Sequence, residues 1–145
     1  MRGQFLTSSV YSFENMRNGN FLYVDKTEYI WKLIEPANAM YFLSRPRRFG
    51  KSLTLSTLKA VFQGRKELFK GLALYDKPYD WKPYPVIHLD MNGRRYDSLE
   101  NLERSLREIM KEQALFHHID MEYEASETML QKLIVQLSRD SQVVQ

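Results

Sequence analysis

The stretch that most limits what this chain can be is Ala39–Ser52, AMYFLSRPRRFGKS. It reads as a continuous apolar run, a basic turn, and Gly50-Lys51-Ser52 leading into Leu55, Leu58, Val61 and Phe62. The three- and four-residue spacing of those last residues predicts a helix, with Gly64 as its stop. An unbroken apolar run between polar boundaries predicts a strand buried on both faces, as in a parallel sheet. Strand, turn and helix with Gly-Lys-Ser at the junction is the layout of a phosphate-binding loop. Such a loop needs inward-pointing backbone N–H groups, a lysine for the β and γ phosphates, and a hydroxyl for magnesium. Gly50 permits the close backbone approach, Lys51 supplies the charge, Ser52 supplies the hydroxyl, and the helix start adds its dipole.

The general pattern G-x-x-x-x-G-K-[ST] puts a glycine at position 45, where this chain has Arg45. Pro46 pushes Arg45 toward extended backbone and lacks an N–H of its own. Donors remain at Arg47, Arg48, Phe49, Gly50, Lys51 and Ser52. By chance, Gly-Lys-[Ser/Thr] arises in roughly one chain of this length in ten or twenty, so the weight rests on its context. Arg45, Arg47, Arg48 and Lys51 also concentrate positive charge with no carboxylate among them. A solvated basic face is the plainer reading of such a cluster. The alternatives for Arg47 and Arg48 are phosphate, a neighbouring copy of the chain in a homo-oligomer, or solvent. Ser52 has a second reading as a simple helix cap.

The remainder reads as an alternation of β-prone and helical segments over one domain, residues 1–145, with 1–12 as a loosely docked arm. Phe21–Val24 is a short β-prone run. Asp25 and Glu28 have capping-box spacing before Tyr29, Ile30, Leu33 and Ile34, and Pro36 ends that helix. Glu67–Phe69 predicts one more helical turn, and the aromatic- and proline-rich 75–85 segment an ordered surface loop. Pro85–Met91 predicts a second buried strand, turned by Asn92-Gly93. Asp97 and Glu100 then cap a helix carrying Leu99, Leu102, Leu106, Ile109 and Phe116. A last helix from Ser126 buries Met129, Leu130, Leu133, Ile134 and Leu137. Asp90, at the end of the second expected strand, is a candidate magnesium or nucleotide contact. Its other reading is a carboxylate that caps a turn or pairs with Arg94 or Arg95. His117 and His118 are adjacent and face apart on a helix, and no zinc spacing is present. The absence of cysteine removes disulfides and thiolate sites, and no apolar run approaches the roughly 18–20 residues of a membrane span. These features predict a cytoplasmic protein with no membrane partner.

Tyr23-Val24-Asp25-Lys26-Thr27, then Ser44–Ser52, Phe69-Lys70-Gly71-Leu72 and Tyr84-Pro85-Val86-Ile87, in that order, closely resemble the AAA-ATPase-like family. Its members are mostly bacterial and often carry a C-terminal nuclease-like domain of the PD-(D/E)XK type. The resemblance runs from about residue 7 to the end. It makes Arg45 expected, since the family uses arginine where other Walker A loops have the first glycine. It implies an α/β, P-loop NTPase-like parallel sheet flanked by helices, with ATP and Mg2+ as cofactors. It implies Gly50, Lys51 and Ser52 as phosphate and magnesium contacts, with Ser52 on the metal; the loop's other donors, Arg47, Arg48 and Phe49, complete the expected cofactor-binding set, and Lys51 is the expected catalytic residue. It also implies a Walker B strand after the last helix, where Val143-Val144 stands. The expectation is therefore an N-terminal portion, a truncated ATP-binding module in which hydrolysis belongs to the complete protein. The alternative is a basic nucleic-acid-binding module using Arg45–Lys51, with aromatics of the 75–84 loop stacking on bases.

Overall fold

A computed structural model describes residues 4–7, 9–36 and 39–143. It contains helices α1 (Phe13–Asn18), α2 (Thr27–Ile34), α3 (Lys51–Phe62), α4 (Leu99–Phe116) and α5 (Ser126–Val143). Two 3-10 turns, Lys66–Phe69 and Ala73–Asp76, follow α3. The chain falls into two compact units, meeting in sequence at Tyr84 and Pro85.

The expected parallel sheet is not there. Among the described residues the sole β pairing is an isolated parallel bridge between Phe5 and Phe21. Ala39–Leu43 forms no strand, and Met40 and Phe42 are 99% and 94% exposed. A strand is completed only by a neighbour that takes its N–H and C=O groups, and nothing in the described chain pairs with this run. Pro85–Met91 likewise forms no strand, although Ile87 packs on the core of the second unit. Of the expected Walker B position, Val143 is the last residue of α5, and Val144 lies outside the described residues.

The first unit is built on aromatic rings. Phe13, Val61, Phe69 and Leu74 are fully buried, with Trp81 close behind. Phe69 stands 4.7 Å from Phe13 and 5.0 Å from Trp81, centroid to centroid. Helix α1, which the sequence pattern did not announce, starts where the Ser12 hydroxyl accepts from Asn15 N–H. Its Arg17 reaches across to the carbonyls of Leu68 and Lys70, 2.7 Å each. Helix α3 presents Thr57, Ala60 and Val61 to this core, and leaves Leu55 exposed. Gly64 ends the turn after it at φ 70°.

The second unit is a helical hairpin. Ile109, Met110 and Ala114 of α4 pack against Met129, Leu133 and Leu137 of α5. The N-cap of α4 falls one residue from the expected one. Ser98, not Asp97, caps α4 by accepting from Asn101 N–H at 3.1 Å. Glu103 of α4 holds the start of α5, one carboxylate oxygen taking Ser126 N–H and the other its hydroxyl, both at 2.8 Å. Leu99, Phe116 and Ile134 of the expected apolar stripes face solvent.

Candidate functional site

The loop before α3 is where the sequence placed the chemistry. Residues 41–50 are all exposed. The chain turns at Arg47 and Arg48, and Arg48 adopts the left-handed region at φ 65°. Gly50 follows at φ 76°, a conformation that costs an L side chain roughly 1–2 kcal/mol, and a Cβ there would meet nothing within 4 Å. Glycine is therefore favoured here by its backbone and not by crowding, and the space in front of it is open.

Helix α3 begins directly after this glycine. Thr54 N–H makes the first intrahelical bond, 2.9 Å to Gly50 O, and the Thr54 hydroxyl donates to the same carbonyl. The N–H groups of Lys51, Ser52 and Leu53 come before that bond and have no partner inside the helix. With the dipole of a 12-residue helix behind them, they favour a negative charge. Ser52 is exposed in this first turn. Lys51 folds back over the loop, its Nζ donating to Arg45 O and, at 3.1 Å, to Pro46 O. Arg45 Nη1 reaches Phe49 O at 3.4 Å. The positive ends of both side chains are thus spent on their own loop's carbonyls.

Beside the loop lies a cavity of about 600 Å3 within the first unit. Leu22, Val24, Ile30 and Leu53 supply its apolar wall, and Lys26 and Arg45 its cations. The Tyr23–Thr27 run that forms one side is anchored through alternate residues. Asp25 Oδ1 accepts from Thr27 N–H and hydroxyl at 2.8 and 2.7 Å, and Oδ2 from Ala73 N–H at 2.8 Å. The Thr27 oxygen, fully buried, accepts Leu74 N–H at 3.0 Å. Burial pulls the Asp25 carboxyl pKa up, but the N–H groups of Thr27 and Ala73 and the Thr27 hydroxyl outweigh it, so the net shift is downward. Asp25 is thus a structural staple and not the helix cap the spacing predicted. Glu28, the other half of that expected box, pairs with Lys77 at 3.0 Å.

Asp90 belongs to the second unit. Its Oδ1 accepts from Asn92 N–H at 2.9 Å and from Asn92 Nδ2 at 2.7 Å, which holds the turn at Gly93. Arg94 pairs with Glu108 at 2.9 Å and Glu112 at 2.7 Å. Among the described residues, no group of three or more His, Cys, Asp or Glu side chains is arranged to hold a metal ion. The aromatic platform expected of the 75–84 loop is largely consumed in packing, with Trp81 against Phe69 and Tyr79 edge-on to Trp81 at 5.3 Å. Burial, then the charge of Asp80 and the neighbouring Tyr84, push the Tyr79 phenol up to about 12. The cavity walls Leu22, Val24, Lys26 and Leu53 were not anticipated. Tyr23-Val24-Asp25-Lys26-Thr27 was visible as a run, but its alternation between anchors and wall residues needs Ala73 and Leu74 in view.

The loop is thus a basic turn closing on a left-handed glycine, with Lys51-Ser52 opening α3. The chain belongs to the AAA-ATPase-like family, described as predicted AAA-ATPases, whose family model matches residues 8–144. A curated relative, named as an uncharacterized protein in the vnfD 5′ region of Azotobacter chroococcum mcd 1, is 41% identical over 114 residues. That alignment covers 76% of this chain and 22% of the relative, so the chain spans about a fifth of that protein's length. No solved structure matches. Among the described residues, no helix is long and apolar enough to cross a membrane.

Proposed function

We propose that Arg45–Ser52 is a nucleotide phosphate loop and that this chain is an ATP-binding module. The observation that carries the reading is the junction at Gly50. A left-handed glycine with open space in front of it is followed at once by Lys51 and by the unpaired N–H groups of α3. Family membership supports the same ligand. In this reading Lys51 leaves the carbonyls of Arg45 and Pro46 for the β and γ phosphates. Backbone N–H groups from Arg47 to Ser52 surround the phosphates, and Arg47 and Arg48 add charge at the exposed rim. The Ser52 hydroxyl fits a magnesium ligand, being exposed in the first turn. Bound Mg2+ would neutralise phosphate charge there. The donor set is suited to a polyphosphate, since cations and N–H groups dominate the loop and no carboxylate occurs between Arg45 and Ser52.

Nucleotide-dependent thermal unfolding tests this. A ligand that binds only the folded state stabilises by about 2.7 kcal/mol at a hundredfold excess over Kd. MgATP is expected to raise the Tm of the wild-type chain, and Lys51→Ala to lose that rise. A rise retained in full by Lys51→Ala would remove the loop from the account.

A further inference from the structure

We infer that a hollow in the second unit, between the 92–95 turn and α4, binds a phosphate group. The hollow has a volume of about 530 Å3. Its walls carry Arg94, Arg95 and Arg104 against a single carboxylate, Glu108. That carboxylate is already engaged, since the Arg94 guanidinium pairs with Glu108 at 2.9 Å and with Glu112 at 2.7 Å. Arg94 is therefore a strut from the turn to the helix. Arg95 and Arg104 are exposed. Among the described residues the Arg95 guanidinium has no partner. Arg104 gives one N–H to Asn101 Oδ1 at 2.6 Å, out of the five that a guanidinium carries.

The turn adds backbone donors to these cations. Asp90 accepts Asn92 N–H, and the Tyr96 hydroxyl closes the turn on Met91 O. The N–H groups of Gly93, Arg94 and Arg95 have no acceptor among the described residues. Gly93 is left-handed at φ 73°, and a Cβ there would meet nothing within 4 Å, so an approaching oxyanion finds open space. Successive free N–H groups around such a turn make an anion-binding concavity. The turn is already held in place. The buried Ser105 donates its hydroxyl to Arg95 O at 3.1 Å, and Arg94 spans to α4, so binding has little left to order. Donors thus come from two sides, N–H groups from the turn and the Arg104 fork from the helix. A planar carboxylate has two oxygens to offer them, whereas a phosphate offers at least three in different directions.

Amide chemical shifts of the isotope-labelled chain test this residue by residue. The probes are inorganic pyrophosphate, acetate at matched ionic strength, and a short oligothymidylate. Pyrophosphate is expected to move the Gly93, Arg94 and Arg95 amides saturably, and acetate to leave them in place. Replacing both exposed arginines, Arg95→Gln with Arg104→Gln, is expected to weaken pyrophosphate binding there at least about tenfold. Circular dichroism checks the fold of that variant, and the shifts of the wild-type chain decide the matter without it. Oligothymidylate moving these amides at a lower phosphate concentration than pyrophosphate does would support the site and make its source a nucleic-acid backbone. The reverse order would support the site with a small phosphorylated ligand as the source. Amides at Gly93, Arg94 and Arg95 that stay still with both phosphate probes would overturn the assignment, as would shifts confined to Arg45–Ser52. So would an equal response to acetate, or a folded double variant that binds as the wild type does.

Discussion

At the scale of single residues, backbone and buried hydrogen bonds decide more than charge does. Thr27 is the clearest case. Its hydroxyl donates to Asp25 and accepts from Leu74 N–H in a fully buried position. Thr27→Val keeps the shape and strands that N–H, so a loss of about 1–3 kcal/mol is expected in urea unfolding. Asp25 makes this corner sensitive to acid. Its carboxyl is held below the usual carboxylate range in the folded chain, so its contribution is present above that range. The contribution disappears as pH falls through the lower folded value. Asp25→Asn should therefore cost about 1 kcal/mol at neutral pH, kept small by the exposure of the group, and nothing once the carboxylate is protonated. Unfolding of both proteins across that range checks the sign. Two glycines give a second comparison. Gly50→Ala meets only the strain of φ 76°, whereas Gly64→Ala also drives a Cβ to 2.6 Å from Trp81 O. Gly64→Ala is expected to be the more destabilising of the two, by at least about 1 kcal/mol beyond the shared cost of left-handed backbone.

At the scale of elements, the helices were legible and the strands were not. Periodicity announced α2, α3, α4 and α5, because a stripe at 3.6-residue spacing is a property of one segment alone. Gly64 and Pro36 marked stops for the same local reason. Helix α1 was missed, since Phe13–Asn18 is too short to show a period and is secured from afar by Arg17 on Leu68 and Lys70. Ala39–Leu43 and Pro85–Met91 looked like buried strands because apolar runs of that length fit one. Burial and pairing, however, belong to the neighbours, and in the described chain Met40 and Phe42 have none. The candidate site divides along the same line. The order Gly50-Lys51-Ser52 at a helix start was visible in the sequence, while the cavity beside it was not, because Val24 and Leu53 come together only in the folded unit. The strand reading and the structure give opposite expectations for Phe42→Ser. At 94% exposure the substitution should change stability by no more than about 0.5 kcal/mol, against about 3–5 kcal/mol for truncating a phenylalanine in a packed core.

At the scale of the whole molecule, the chain is two helical units, each with its own core, in a family of predicted AAA-ATPases. The loop, the cavity and the staple at Asp25 and Thr27 all lie in the first unit. The account therefore turns on whether a nucleotide binds at Lys51. Isothermal titration calorimetry of the wild-type chain and of Lys51→Ala with MgATP measures this most directly. Removing a charge-assisted contact to phosphate is expected to weaken binding by about 10- to 100-fold. Saturable binding in the wild-type chain that falls by that factor or vanishes in Lys51→Ala is the predicted result. No heat of binding in the wild-type chain, or the same affinity in both proteins, would contradict it.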